Sequence, residues 1–308
     1  MAEQRTYPNG VTCWIALEVP DADAASSFYG ALFGWEFTNI MPPGAAAYLM
    51  ASIDGADVAA IAAKAGAAQW TTFISTDDIQ STTSTIERAG GTIIDAPRDA
   101  GVYGRAATAK DPQGAEFHLW QAGNHPGSQL VNVPGTWNFS DLQTTDPEAA
   151  QSFYSHVFGW QFVDVGLTMI AVPGYGDYLA ATSDPQIYER QAGAPEDFAD
   201  VIGGFESVPS SSRWRVKFSV ADRAESMSLV EKLGGTVLAT DDQYWANLAD
   251  IRDPQGAEFT ISEFHDPRRA VALPGPAAHR SVGGQAKLTC ISGLPASHSS
   301  TGSTGWAR

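Results

Sequence analysis

The run Glu116-Phe117-His118-Leu119-Trp120 places three chemically able side chains at every second position. Successive residues of a strand point to opposite sides, so Glu116, His118 and Trp120 share one face. An imidazole beside a carboxylate on one face suits general acid/base work, because histidine titrates near neutrality. The run Thr12 to Val19 alternates in the same way. Ile15, Leu17 and Val19 make an apolar face, and Trp14, Ala16 and Glu18 make the other. His118, Glu116 and Glu18 are therefore the candidate catalytic residues. Trp14, Trp70 and Trp120 are candidates for stacking on a planar ligand. Thr71, beside Trp70, and Tyr103, in the loop before the last strand, are further candidate substrate contacts. Later in the chain the same alternation presents Phe139 and Asp141, then Arg215 and Lys217, then Glu258 and Thr260. Each has a plainer reading. Polar residues alternating on a strand commonly form a solvated face. His118 reads equally well as a structural histidine. Arg215 with Asp141 or Glu258 reads as a structural ion pair as readily as an anion clamp.

The elements that must position these residues come as a repeat. Asp21 to Phe37 reads DADAASSFYGALFGWEF, and Asp146 to Phe162 reads DPEAAQSFYSHVFGWQF, with ten of the seventeen positions identical. Glu87 to Ile94 (ERAGGTII) is answered by Glu231 to Leu238 (EKLGGTVL), and DPQGAEF occurs at both Asp111 and Asp253. The spacing between copies grows along the chain, which predicts an insertion in the second copy within 183–212, a stretch rich in Pro, Gly, Ser and acidic residues. Each copy alternates strand, aspartate cap, short amphipathic helix, glycine stop and further strands. That rhythm predicts two β-α-β-β-β modules per copy and four in the chain, an α+β fold. Trp35 and Trp160, just after the helices, are expected in the core.

Composition narrows the function classes. The chain has 308 residues, is 44% hydrophobic and carries a formal charge of −17. Such acidity argues against nucleic acid or anionic membrane as a partner, both of which need clustered Lys and Arg. Two cysteines, Cys13 and Cys290, make neither a disulfide framework nor a CxxC metal site. No apolar run approaches membrane-spanning length, and the N-terminal stretch has no signal-peptide pattern, so a soluble, cytoplasmic protein is expected. Gly174-Tyr175-Gly176 lacks any P-loop or Rossmann context.

The pattern Asp-x-x-Ala-x-x-Phe-Tyr-x-x-x-Phe-Gly-Trp, then Ala-Gly-Gly in the first copy, then Asp-Pro-Gln-Gly-Ala-Glu-Phe, resembles the vicinal oxygen chelate superfamily, which includes glyoxalase I, bleomycin-resistance proteins and extradiol dioxygenases. The match is closest to tandem two-domain glyoxalase-like proteins and covers about residues 8–265. The resemblance implies that paired modules curl into a cup-shaped mixed sheet with helices outside. It also implies three metal-ligand positions on the inner face, filled by His, Gln or Glu in metal-dependent members. Carried over, these positions hold Trp14, Thr71 and His118 in the first domain, and Phe139, Arg215 and Thr260 in the second. Five of the six depart from the metal pattern, so neither a catalytic metal nor another cofactor is expected. The first cup is expected to be aromatic, with Glu18, Glu116 and His118 as its ionisable groups, and the second ionic.

Domain 1 is placed at 8–124, a linker at 125–135, domain 2 at 136–265, and a disordered tail at 266–308. The first cup is the favoured site. The leading functional expectation is a metal-independent enzyme acting on a hydrophobic aromatic oxygenated molecule, of polyketide type, with His118 as general acid/base. A bleomycin-resistance-type binding protein that does no chemistry is the alternative. A metal-dependent lyase or dioxygenase with non-standard ligands is the third. The only partner expected is a small-molecule ligand, with the chain a monomer by internal duplication or a homodimer. His125, His156, His265, His279 and His298 are assigned no role.

Overall fold

The computed structural model describes residues 4–195 and 197–265; the tail expected at 266–308 lies outside them. Module one runs β1 (Thr12–Val19), α1 (Ala22–Phe33), β2 (Glu36–Asn39), β3 (Tyr48–Ile53) and β4 (Ala56–Ala63). Module two runs β5 (Gln69–Ser75), α2 (Ile79–Arg88), β6 (Thr92–Asp99), β7 (Gly104–Lys110) and β8 (Glu116–Ala122). Module three runs β9 (Trp137–Thr144), α3 (Pro147–Phe158), β10 (Gln161–Asp164) and β11 (Thr168–Ala171), then α4 (Tyr175–Ala181), α5 (Ile187–Arg190) and β12 (Val201–Ser207). Module four runs β13 (Arg213–Ser219), α6 (Arg223–Lys232), β14 (Thr236–Asp242), β15 (Ala246–Arg252) and β16 (Glu258–Phe264). The four β-α-β-β-β modules are thus present. The extra residues of the second copy lie between β11 and β12, beginning earlier than the composition of 183–212 suggests, and they carry α4 and α5. Among the described residues no helix is long and apolar enough to cross a membrane.

Local chemistry sets the element boundaries. Each module helix starts at an aspartate whose carboxylate accepts a backbone N–H of the first turn. Asp21 accepts from Ala24, Asp78 from Gln80 and Ser81, Asp146 from Ala149, and Asp222 from Glu225. α1 and α3 stop at Gly34 and Gly159, which take left-handed φ values of 75° and 74°, costly for any residue with a Cβ.

Modules one and two share one sheet in the order β2-β3-β4-β1-β5-β8-β7-β6, and modules three and four repeat it as β10-β11-β12-β9-β13-β16-β15-β14. In each sheet the central pair, β1 with β5 and β9 with β13, is antiparallel. It is flanked by parallel pairs, β1 with β4 and β5 with β8, then β12 with β9 and β13 with β16.

The hydrophobic cores do not follow the copies. One core joins module one to module four, with Tyr29 and Phe33 of α1 meeting Phe218 and Phe259. The other joins module two to module three, with Phe153, Tyr154 and Phe158 of α3 meeting Phe117. The repeated motifs build this junction. Trp70 Nε1 donates to Tyr29 Oη at 3.0 Å, and Tyr29 Oη donates to Asp253 Oδ2 at 2.9 Å. The second copy returns the arrangement: Trp214 Nε1 donates to Tyr154 Oη at 3.2 Å, and Tyr154 Oη to Asp111 Oδ2 at 3.1 Å. The other oxygen of each aspartate closes its own Asp-Pro-Gln-Gly turn by accepting N–H groups two and four residues on. Burial raises the Asp111 pKa above the usual carboxylate value, opposed by the hydrogen bonds from Ala115 and Tyr154.

Candidate functional site

The concave face of the first sheet is set by register. Trp14 pairs with Phe73, and Phe73 with His118, so these three stand side by side. Thr71 lies opposite Ala16, one row away from Trp14, and spends its hydroxyl on the Ala16 carbonyl at 3.0 Å. The inner row of the first cup is therefore Trp14, Phe73 and His118 rather than Trp14, Thr71 and His118. Trp120 and Ala106 continue the same apolar cluster.

His118 is 3% exposed and stacks on Phe73, with ring centroids 4.6 Å apart. Its Nδ1 lies 3.3 Å from Thr108 Oγ1, and its Nε2 is buried with no hydrogen-bond partner. Leaving such a group unpaired costs about 1–3 kcal/mol. Burial pushes the imidazole pKa down to about 4, with Glu18 acting upward and Lys64 and Arg98 downward, so the ring is neutral at pH 7. The expected carboxylate partners are engaged elsewhere. Glu18 pairs with Lys64 at 2.7 Å and accepts from Gln69, while Glu116 pairs with Lys110 at 3.4 Å. Neither carboxylate hydrogen-bonds to the ring, so His118, Glu116 and Glu18 do not form an acid/base set.

Trp70 is corrected as well. It sits on the opposite face, in the core, tied to Tyr29, because strand alternation puts it across from Thr71 and Phe73. Trp14 and Trp120 do face the cup, but they are 3% and 8% exposed and fill it. Tyr103 is half-exposed on a short turn, and its carbonyl accepts from Gly123 and His125.

His125, assigned nothing from sequence, is what closes this cup. Its ring meets Trp14 edge-on at 4.5 Å and lies 6.0 Å from Trp120, whose indole N–H donates to the His125 carbonyl at 2.8 Å. From there the linker crosses back to β1 and β4: Ser128 N–H donates to Cys13, and its hydroxyl to Val58. Burial lowers the His125 pKa, opposed by Asp57 at 3.8 Å. The one signal in the sequence was position, a Gly-Asn-His-Pro-Gly turn directly after the last strand.

The second cup holds a polar cavity of about 160 Å³, lined by Asp141, Gln143, Glu206, Arg215, Lys217, Asp241, Asp250 and Thr260 among others. Its inner row is Phe139, Lys217 and Thr260, and Asp141 opposes Arg215 in the next. Lys217 Nζ lies 2.7 Å from Asp141 Oδ2, and Asp141 Oδ1 accepts the Gly204 N–H at 2.7 Å. Arg215 is buried, pairing with Asp250 at 3.3 Å and Glu258 at 3.2 Å, while Thr260 donates to Asp250 at 2.7 Å. Glu258 also takes Arg213 and Arg252. Burial pushes its carboxyl up, and the Arg252 hydrogen bond with the Arg215 and Arg213 charges outweighs this, holding it below the usual range. Glu206 accepts from Gln143 at 2.9 Å and meets no cation among the described residues. Of the two cups it is the second that holds a cavity among the described residues, against the expectation that favoured the first. Lys217, Glu206 and Asp250 join the candidate residues. Lys217 was visible on the alternating face, whereas Glu206 and Asp250 needed the sheet order.

The donor sets do not fit a metal. The first row offers one imidazole beside a Phe and a Trp, neither of which can ligate, and the second places an ammonium in the row itself. Among the described residues no three His, Cys, Asp or Glu side chains converge as a ligand set.

Residues 13–119 match the model of the Glyoxalase/Bleomycin resistance protein/Dioxygenase superfamily, and residues 139–262 that of the Glyoxalase-like domain. The candidate glyoxylase CFP32 of Mycobacterium tuberculosis is 33% identical over 273 residues, 85% of this chain and 97% of its own. The anthracycline biosynthesis protein DnrV of Streptomyces peucetius is 32% identical over 284 residues, 86% and 98%. Among solved structures, the Mn(II)-bound glyoxalase of Novosphingobium aromaticivorans superposes with a TM-score of 0.55 at 12% identity, covering 83% of each chain. The 2,3-dioxygenase LapB of Pseudomonas sp. KL28 gives 0.56 at 13%, covering 84% of this chain and 96% of its own. The structural likenesses establish the fold, and the sequence identity over nearly the full length of these relatives establishes the family: the chain belongs to the glyoxalase/bleomycin resistance protein/dioxygenase superfamily.

Proposed function

We propose that this chain is a metal-independent glyoxalase-like enzyme of secondary metabolism that takes the oxygenated end of an aromatic, polyketide-type molecule into its second cup. The observation that carries this reading is Lys217, an ammonium lining the cavity in the inner row of the cup. A fixed cation lining a cavity stabilises negative charge developing on a carbonyl or enolate oxygen, the service a Lewis-acid metal gives elsewhere. Asp141 holds Lys217 in position, and Glu206, which also lines the cavity, is the carboxylate that would take a proton. The cavity is smaller than the ~300–1,000 Å³ that encloses a drug-sized ligand, which suits one end of a larger molecule. The relatives named for anthracycline biosynthesis support an aromatic oxygenated substrate class.

Hydrogen–deuterium exchange at C2 of 2-hydroxy-1-tetralone, a vicinally oxygenated aromatic ketone, tests the reading. Exchange should be accelerated by protein treated with EDTA, and Lys217→Met should lose about 10²–10³-fold of that acceleration, as when one oxyanion donor is removed. Tight binding without exchange would favour a sequestering protein. A stoichiometric transition metal in the purified protein, with activity lost to EDTA, would sink the metal-independent mechanism.

A further inference from the structure

Outside the charged cavity, the turn between β14 and β15 and the end of β16 bring together three rings that neither the cores nor the proposed reaction uses. Tyr244 and Phe264 are each 70% exposed, and neither they nor Trp245 belong to a hydrophobic core. Scattered single apolar side chains are ordinary on a surface, whereas a contiguous patch marks a contact site. Trp245 and Phe264 lie parallel within 5°, with centroids 6.4 Å apart, and Tyr244 stands edge-on to Trp245 at 5.2 Å. Their backbone is fixed. Gln243 N–H donates to the Ala246 carbonyl at 2.9 Å, closing the turn, and His265 N–H donates to the Trp245 carbonyl at 3.0 Å.

Register connects the rings to the cavity. Leu248, Asp250 and Thr260 line it, as does Gln243, the first residue of the turn. Asp250 pairs with Thr260, Leu248 with Ser262 and Ala246 with Phe264, so Thr260, Ser262 and Phe264 point to one side of the sheet. Phe264 lies about 7 Å along the strand from the row of Leu248, at the rim. The first copy has Tyr103 where the second has Trp245, and Ala122 where it has Phe264, with the same backbone bond from Gly123 to Tyr103. The strand thus forms without the Phe264 ring. Given the reaction proposed for the second cup, we infer that Trp245 and Phe264, with Tyr244, are a stacking platform on its rim that selects substrates with an extended, fused aromatic body. The cavity of about 160 Å³ takes only the oxygenated end, and the flat remainder rests on the rim. Parallel rings offer π-faces of one orientation, which a fused system meets by offset stacking, and Tyr244 bounds it on one side.

Calorimetric binding and C2 exchange test the inference, using 2-hydroxy-1-tetralone and 2-hydroxy-3,4-dihydroanthracen-1(2H)-one, the same ketone with one more fused ring. Wild type should prefer the larger ketone by about tenfold, the worth of two ring contacts. Phe264→Ala, which gives the residue of the first copy, and Trp245→Leu should each lose about threefold of that preference, in Kd and KM rather than kcat, and the double variant all of it. Lys217→Met should lose exchange yet keep the ring preference in binding, so failure of the reaction is separable from failure of the platform. Equal affinity of wild type for the two ketones overturns the inference, and so does a preference that survives in the double variant. It is overturned as well if the rings serve a subunit interface, seen by light scattering as a dimer that Phe264→Ala dissociates while the ring preference is unchanged.

Discussion

Replacing Tyr29 by phenylalanine removes one oxygen atom and tests how the two copies are joined. That oxygen donates to the buried Asp253 carboxylate at 2.9 Å and accepts from Trp70 Nε1 at 3.0 Å. The first bond is to a charged group, worth about 1.5–3 kcal/mol, and the second is between neutral groups, worth about 1 kcal/mol. Both former partners stay buried, since Asp253 and Trp70 are 5% and 6% exposed and no solvent replaces the hydroxyl. The expected loss is about 3 kcal/mol, read as a lower urea midpoint with an unchanged slope, followed by far-UV circular dichroism and tryptophan fluorescence together. Tyr154→Phe should cost a similar or slightly smaller amount, because its bonds are 3.1 and 3.2 Å. A Tyr29→Phe, Trp70→Phe double-mutant cycle should show coupling of about 1 kcal/mol, because each single change already breaks the shared bond. A Tyr29→Phe variant within about 0.5 kcal/mol of wild type, the scatter of surface changes, would refute the reasoning.

Other outcomes follow from groups already described. His118 has a folded pKa of about 4 against an ordinary 6.5, so the unfolded chain takes up its proton first as pH falls. The stability this gives is complete above about pH 6.5 and is lost between there and pH 4, about 3 kcal/mol in all. The charges of Lys64, Arg98, Glu18 and Asp95 also act on the ring, so the comparison is His118→Gln against wild type in parallel urea titrations at pH 7 and pH 4.5; equal pH dependence in the two would contradict it. Gly204→Ala places a Cβ 2.8 Å from the Asp141 carboxyl carbon, so it should displace Asp141 from Lys217 and weaken ligand binding in the second cup; calorimetric titration with 2-hydroxy-1-tetralone reads this, and unchanged affinity would count against the Lys217–Asp141 pair as the cavity's organiser. Glu258→Gln removes a charge shared by three arginines, two of them half-exposed, while the buried Arg215 keeps Asp250, so it should cost about 1 kcal/mol in thermal or urea unfolding.

The repeat, the strand alternation and the aspartate caps carried the architecture, because those signals are local and each recurs. The site was less legible, for reasons particular residues make clear. Trp70 and Trp14 look alike in sequence, yet one residue of alternation separates a core donor to Tyr29 from a ring facing the cup. The resemblance groups Thr71 with Trp14, but the strands pair Trp14 with Phe73, and registry across an antiparallel pair is not written in either strand alone. His125 gave no periodic signal, since it lies in a turn and acts through a contact with β1 more than a hundred positions earlier. The repeated Phe-Tyr and Asp-Pro-Gln-Gly motifs, the most visible letters in the chain, join the copies and take no part in either cup.

Each core is assembled from modules that lie on opposite copies, and this decides how the chain can fold and how it came about. While only the first copy has left the ribosome, α1 has no Phe218 or Phe259 to meet, and Phe117 has no α3. The apolar faces of the first copy therefore stay uncovered until the second copy is made. A lone copy would satisfy its exposed faces best on another like itself, through the same exchange of Tyr29-type and Asp253-type partners. The present chain is in this sense a dimer written in one polypeptide. Covalent linkage frees its two cups from identity, and among the described residues one is aromatic and strapped by its linker while the other is lined by charge.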